Sequence, residues 1–173
     1  MEPRRGGGAR GLCRSSDQAA IAGGGRPPPG QMSGPAGQKE NRRQARVQAV
    51  QHLYGREMRG ALDENGKTEV EQEELVPFAR ELLENAAAKL GEIDVLLAAA
   101  LQNWDLKRLG AVDRAVLRTA VAEMLSHPDI PAAVTINEAI EIARSLGSAE
   151  SARFANGVLD RVRKEIGRDP RST

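Results

Sequence analysis

The sequence is poor in cysteine, in aromatic rings and in long apolar runs. One cysteine, Cys13, among 173 residues excludes an internal disulfide framework and any multi-cysteine zinc site. The aromatic residues are Tyr54, Phe78, Trp104 and Phe154, only 2% of the chain. The core must therefore come from Leu, Ile, Val and Ala, which favours closely packed helices over a β-sandwich. No run of about 18 apolar residues offers a membrane span. The arginine-bearing amino terminus lacks the apolar stretch of a secretory signal, so the expected compartment is a reducing cytoplasm.

Catalytic patterns are missing too. His52 and His127 fall on different elements with no triad partners around them, and His127, just before Pro128, reads as a plain loop histidine. Cys13 has no fixed base to activate it. No Walker A pattern, dinucleotide fingerprint or HExxH occurs. The expectation is a protein that is not an enzyme, with no catalytic residue, cofactor or metal.

What the chain does have is an uneven charge distribution. The overall net charge is +1, yet residues 1–38 carry +3 and residues 39–59 carry +4, which leaves −6 for residues 60–173. A basic front end on an acidic body suits a protein that offers one end to a polyanion.

Residues 1–38 are rich in Gly, Pro and Arg, with Gly6-Gly7-Gly8, Gly23-Gly24-Gly25 and Pro27-Pro28-Pro29. Such a segment buries too little apolar surface to offset its ordering entropy and is expected to be a disordered tail. It is either a loose RNA-binding tail, a solvated one, or an early start before Met32. A helical domain is expected over 39–168, followed by a short C-terminal tail at 169–173.

Within the domain, Asn41 with Gln44 resembles a capping box. Val47, Val50, Tyr54 and Met58 make one stripe of the first helix, flanked by Leu53. A loop with an Asn65-Gly66 turn is expected over 59–69. A helical stretch follows from about Val70 to Asn103, broken or kinked at Pro77 and at Gly91. Val112 to Ser126 is apolar on two sides and so should be central, stopping at His127-Pro128. Thr135 with Glu138 looks like another capping box, opening a helix that ends at Gly147. Ser148 caps the last helix, whose inner face is Phe154, Val158, Leu159, Val162 and Ile166. No period-2 strand pattern occurs, so the fold class is all-α.

Arg42, Arg43 and Arg46 stand out. At a helix amino terminus they would oppose the macrodipole, at a cost of a few tenths of a kcal/mol each. Arg43 shares its azimuth with Val47, Val50 and Tyr54, so the first turn is expected to overhang the core edge. Overhanging guanidinium groups grip phosphates in bidentate fashion, and Tyr54 at the rim would offer a stacking ring. On spacing alone a solvated basic turn with Tyr54 in the core fits equally well.

Several segments together resemble the NusB family in order and spacing. They are Arg42-Arg43-Gln44-Ala45-Arg46 through Gln51-His52-Leu53-Tyr54, Val112 through Arg118, Ile130-Pro131, Ile136 through Ala143, and Phe154-Ala155-Asn156-Gly157-Val158-Leu159-Asp160. Gln44 departs from a position that is often basic in members, and Leu101 from one that some fill with an aromatic.

The resemblance implies a compact bundle of about seven helices that binds boxA-type single-stranded RNA with the ribosomal protein NusE, inside an RNA polymerase antitermination complex at ribosomal RNA operons. It also implies RNA contact at Arg42, Arg43, Arg46 and Tyr54. Glu150 corresponds to an acidic position that tunes RNA binding, and Asp113 to one on the NusE-facing side, although an Asp in a first helical turn is favourable in its own right. The competing reading is a helical interaction scaffold or homodimer without RNA activity. NusB-like domains fused to RNA cytosine methyltransferases would need a following Rossmann-type domain and a catalytic cysteine, neither of which these residues supply.

Overall fold

The structure is a computed structural model that describes residues 35–58, 75–102 and 104–168, with side chains from 41 onward. Of the tail expected over 1–38, residues 1–34 lie outside the described residues while 35–38 are helical; the loop expected at 59–69, the helix start expected near Val70 and the C-terminal tail at 169–173 also lie outside them. Among the described residues there are six α-helices, one short 3-10 turn and no strand, so the all-α expectation holds.

Helix α1 (Pro35–Met58) begins at a proline, whose fixed φ suits a first helical position. Asn41 is therefore interior and caps nothing. The dipole argument against Arg42 and Arg43 falls with it, because both lie beyond the first turn. The face of α1 turned to the core is Ala45, Ala49, Val50 and Leu53; of the stripe expected from spacing, Val50 is buried and Val47 packs partly against the core, while Tyr54 and Met58 are exposed. Alanines at this spacing let α1 approach its neighbours closely.

Helix α2 (Pro77–Ala88) also opens on a proline, so of the break or kink expected at Pro77 the structure has the break, with a helix starting there. Val76, at its N-cap, donates its N–H to Gln48 Oε1 at 3.2 Å, which ties the start of α2 to α1. The break before α3 (Leu90–Leu101) falls at Lys89, with φ −112° and ψ 17°, and Gly91 lies inside α3. Lys89 is useful there because its ammonium donates to Leu125 O at 3.2 Å and to Ser126 Oγ at 3.3 Å, closing the far end of another helix. After α3, Gln102 takes a φ of 55°, a conformation uncommon outside glycine. A 3-10 turn at Leu106–Arg108 leads into the next helix.

Helix α4 (Ala111–Ser126) has the central position that its two apolar stripes suggest. It packs against all five other α-helices, and Ala115, Val116, Leu117, Ala120, Val121 and Met124 are buried on it. Helices α5 (Ala132–Leu146) and α6 (Ala149–Glu165) follow as an antiparallel pair. Their junction needs Gly147, since a Cβ there would lie 2.9 Å from Ala143 O. Ser148 caps α6 as expected, its Oγ accepting from Ser151 N at 3.1 Å. Thr135 does not cap α5, which starts three residues earlier behind Pro131.

His127 ends α4 but is buried, against the expectation of a plain loop residue, with its ring edge-on to Phe78 at 5.1 Å. The turn it begins is held by Arg168, whose guanidinium donates to Met124 O at 2.7 Å, Pro128 O at 3.0 Å and Ile130 O at 2.8 Å. Arg168→Ala is expected to lower stability by about 1.5–3 kcal/mol, the usual loss for hydrogen bonds to a charged donor. Denaturant titration measures this, and Arg168→Lys should recover only part of it, because a single ammonium spans fewer carbonyls.

Candidate functional site

The arginines of α1 divide into three environments. Arg42 is exposed, with its guanidinium carbon 5.4 Å from the Phe78 ring centroid. Arg43 is half exposed and bidentate: Nε donates to Glu138 Oε2 at 2.8 Å and Nη2 to Glu138 Oε1 at 3.1 Å. Arg46 is buried at 5% exposure. Its Nε and Nη2 donate to Glu123 at 2.7 and 2.9 Å, and Thr135 Oγ1 adds a 2.6 Å bond to the same carboxylate.

Of the three arginines expected to overhang the core edge, Arg42 and Arg43 are exposed and Arg46 is not. Arg43 avoids being buried without a partner through a long-range pair with α5, and Arg46 is a buried strut joining α1 to α4. A guanidinium enclosed in this way offers phosphate nothing in this conformation, and Arg46 leaves the set of surface contacts. The residues read as a capping box, Thr135 and Glu138, supply the other halves of these pairs.

Tyr54 is 39% exposed. It lies eleven residues beyond Arg43, so the two share an azimuth about 16 Å apart along α1. One turn further, Glu57 is ion-paired with Arg114, and Arg118 lies 3.6 Å from its other oxygen. Arg118 is also bidentate to Asp94, at 2.8 Å for both bonds. Burial, and then the nearby Arg118, push the Arg114 pKa down; the two carboxylates offset the crowded cations. This quartet holds the end of α1 against the first turns of α4.

Asp113, in the first turn of α4, and Glu150, in the first turn of α6, line one shallow groove of about 260 Å³. Trp104, Arg108 and Phe154 line it with them. The structure therefore brings Asp113 and Glu150 together at one groove, apart from the Arg42–Arg43 end of α1. Sequence reasoning passed over Trp104 and Arg108. The one available signal was a tryptophan, Trp104, between Asn103 and Asp105, flanked by polar residues and outside any apolar periodicity.

No helix among the described residues is long and apolar enough to cross a membrane. The model of the NusB family matches residues 43–164, which include Arg43, Tyr54, Asp113 and Glu150. A transcription antitermination protein NusB of Myxococcus xanthus is 41% identical over 133 residues, 70% of this chain and 93% of that protein. One of an Exiguobacterium is 41% identical over 125 residues, 72% of this chain and 98% of the relative. The solved T. maritima NusB is 39% identical with a TM-score of 0.62, covering 72% of this chain and 91% of that one. With its helical bundle, its α1 arginines and a match across nearly all of the described residues, this chain belongs to the NusB family.

Proposed function

We propose that this protein is a transcription antitermination factor that binds boxA-type single-stranded RNA together with ribosomal protein NusE, as part of an RNA polymerase antitermination complex in the cytoplasm. The observation that carries this reading is the exposed basic face of α1, Arg42 and Arg43 with Tyr54 on the same helix, in a chain of the NusB family. Catalysis has no part in it; the protein acts as an adaptor over residues 39–168.

Arg42 is the foremost phosphate contact. Arg43 reaches phosphate from a position fixed by Glu138, and Tyr54 presents a ring to a base at the rim. Asp113 is the proposed NusE contact. The acidic body repels RNA away from the basic end, so the protein alone should hold only a short stretch of RNA. NusE docked beside it would extend the positive surface. RNA affinity is expected to rise at least several-fold when NusE is added, a coupling of about 1–3 kcal/mol, and linkage requires RNA to tighten NusE binding equally. Titrating labelled boxA RNA with and without NusE tests this, and equal affinities would remove the cooperative adaptor.

Glu150 acts in this scheme as a brake, its carboxylate repelling phosphate at close range. Glu150→Gln is expected to strengthen RNA binding with or without NusE, and more so at low salt, where the charge is less screened. Weaker binding by the variant would show a carboxylate that accepts a contact from the RNA.

A further inference from the structure

Trp104 is the sole tryptophan of the chain and is 64% exposed. A large ring left this open contributes little to the core, so its place in the groove beside Asp113 and Glu150 calls for another explanation. The segment presenting it is braced. Arg114 Nη1 donates to Leu106 O at 2.8 Å and to Leu109 O at 2.9 Å, while Asp105 Oδ1 accepts from Lys107 N at 2.9 Å. Trp104 N itself donates to Leu101 O at 3.2 Å. The ring is therefore offered beside a hydrogen-bonded turn, which lowers the ordering cost of a ligand stacking on it.

The groove's size and chemistry restrict the ligand. At about 260 Å³ it lies below the range of roughly 300–1,000 Å³ typical of drug-sized ligands, which suits one planar group rather than an extended one. Phe154 supplies a second aromatic wall, and Arg108 an exposed cation at the edge. A ring platform with a cation beside it is the arrangement on which unpaired bases stack while the neighbouring phosphate is held.

We propose that Trp104 is a stacking platform for one unpaired nucleobase of the bound RNA, with Arg108 holding an adjoining phosphate. The proposal rests on the RNA-binding reading above and extends the RNA path from α1, across the Glu57–Arg114 junction, to the groove between α4 and α6. It also explains why Glu150 would act as a brake, since the carboxylate lines the groove through which the strand passes.

The single tryptophan makes the test local, because its emission comes from this groove alone. Titrating the full chain with a short single-stranded RNA carrying a boxA-type element is expected to quench Trp104 emission, saturating with binding measured by anisotropy of the labelled RNA. Trp104→Ala should weaken that binding about 5- to 150-fold, the range for loss of one base–aromatic stack. Trp104→Phe should restore much of it, and neither variant should move the melting temperature appreciably. Binding without quenching, or unchanged affinity of Trp104→Ala while Arg42→Ala loses affinity, overturns the platform and leaves the RNA reading standing. Emission that responds to NusE alone and not to RNA overturns it in favour of a protein-facing groove. Failure of the unaltered protein to bind the RNA at all overturns both.

Discussion

Glu123→Ala is expected to destabilise the protein by about 3–5 kcal/mol, the usual loss when one partner of a buried ion pair is removed. Glu123 is 1% exposed, and its carboxylate takes two bonds from Arg46 and one from Thr135. Without it the Arg46 guanidinium stays enclosed with no carboxylate, and the Thr135 hydroxyl loses its acceptor. Native stabilities of about 5–15 kcal/mol leave little after such a loss. The pair itself contributes far less than the penalty for breaking it, because desolvating both ions offsets most of their attraction. Arg46→Met combined with Glu123→Leu should therefore recover most of the stability lost by either single change. Urea unfolding of the two single variants and the double variant checks this as a cycle. Additive losses would mean that Arg46 and Glu123 act independently.

The second large effect separates core from surface. Leu117→Ala should cost about 2–5 kcal/mol, since Leu117 is wholly buried on α4, which touches each of the other five described helices. Arg42→Ala should cost no more than about 0.5–1 kcal/mol, the worth of an exposed contact over the Phe78 ring, yet it should weaken RNA binding clearly. Arg43→Ala is a less clean probe, because it also removes a partner from the Glu138 carboxylate, which is only 9% exposed. Thermal melts beside RNA titrations distinguish these outcomes. A large drop in melting temperature for Arg42→Ala would make that residue structural and remove it from the site.

The elements most legible in the sequence were those fixed by local pattern. The two apolar stripes of 112–126, the stop at His127-Pro128 and the Ser148 cap needed only helical periodicity and nearby turn chemistry. Pairings between distant segments were not legible. Thr135 with Glu138 has the residue types and spacing of a capping box, and the same oxygens serve equally well in tertiary contacts. Nothing local shows that Glu123, 77 residues away, waits for Arg46. The start of α1 was misplaced for a related reason: Pro35 is compatible with a tail as well as a first helical turn, and Asn41 supplied a plausible but unused cap. The candidate site was legible in part. The arginines and Tyr54 were identifiable as a set on α1, but separating exposed Arg42 from buried Arg46 required knowing what packs against each face. Trp104 escaped notice because a lone ring flanked by polar residues is a weak signal until the groove around it is seen.

The central claim is that α1 meets RNA through its exposed arginines, and the salt dependence of binding tests it most directly. With roughly two to four phosphates neutralised on a single strand, log K against log salt should fall with a slope of about −1.5 to −3. Arg42→Ala should make that slope shallower by about 0.7, the share of one phosphate contact on a single strand. A slope near zero for the unaltered protein, or one unchanged by Arg42→Ala, would place the RNA elsewhere and contradict the account.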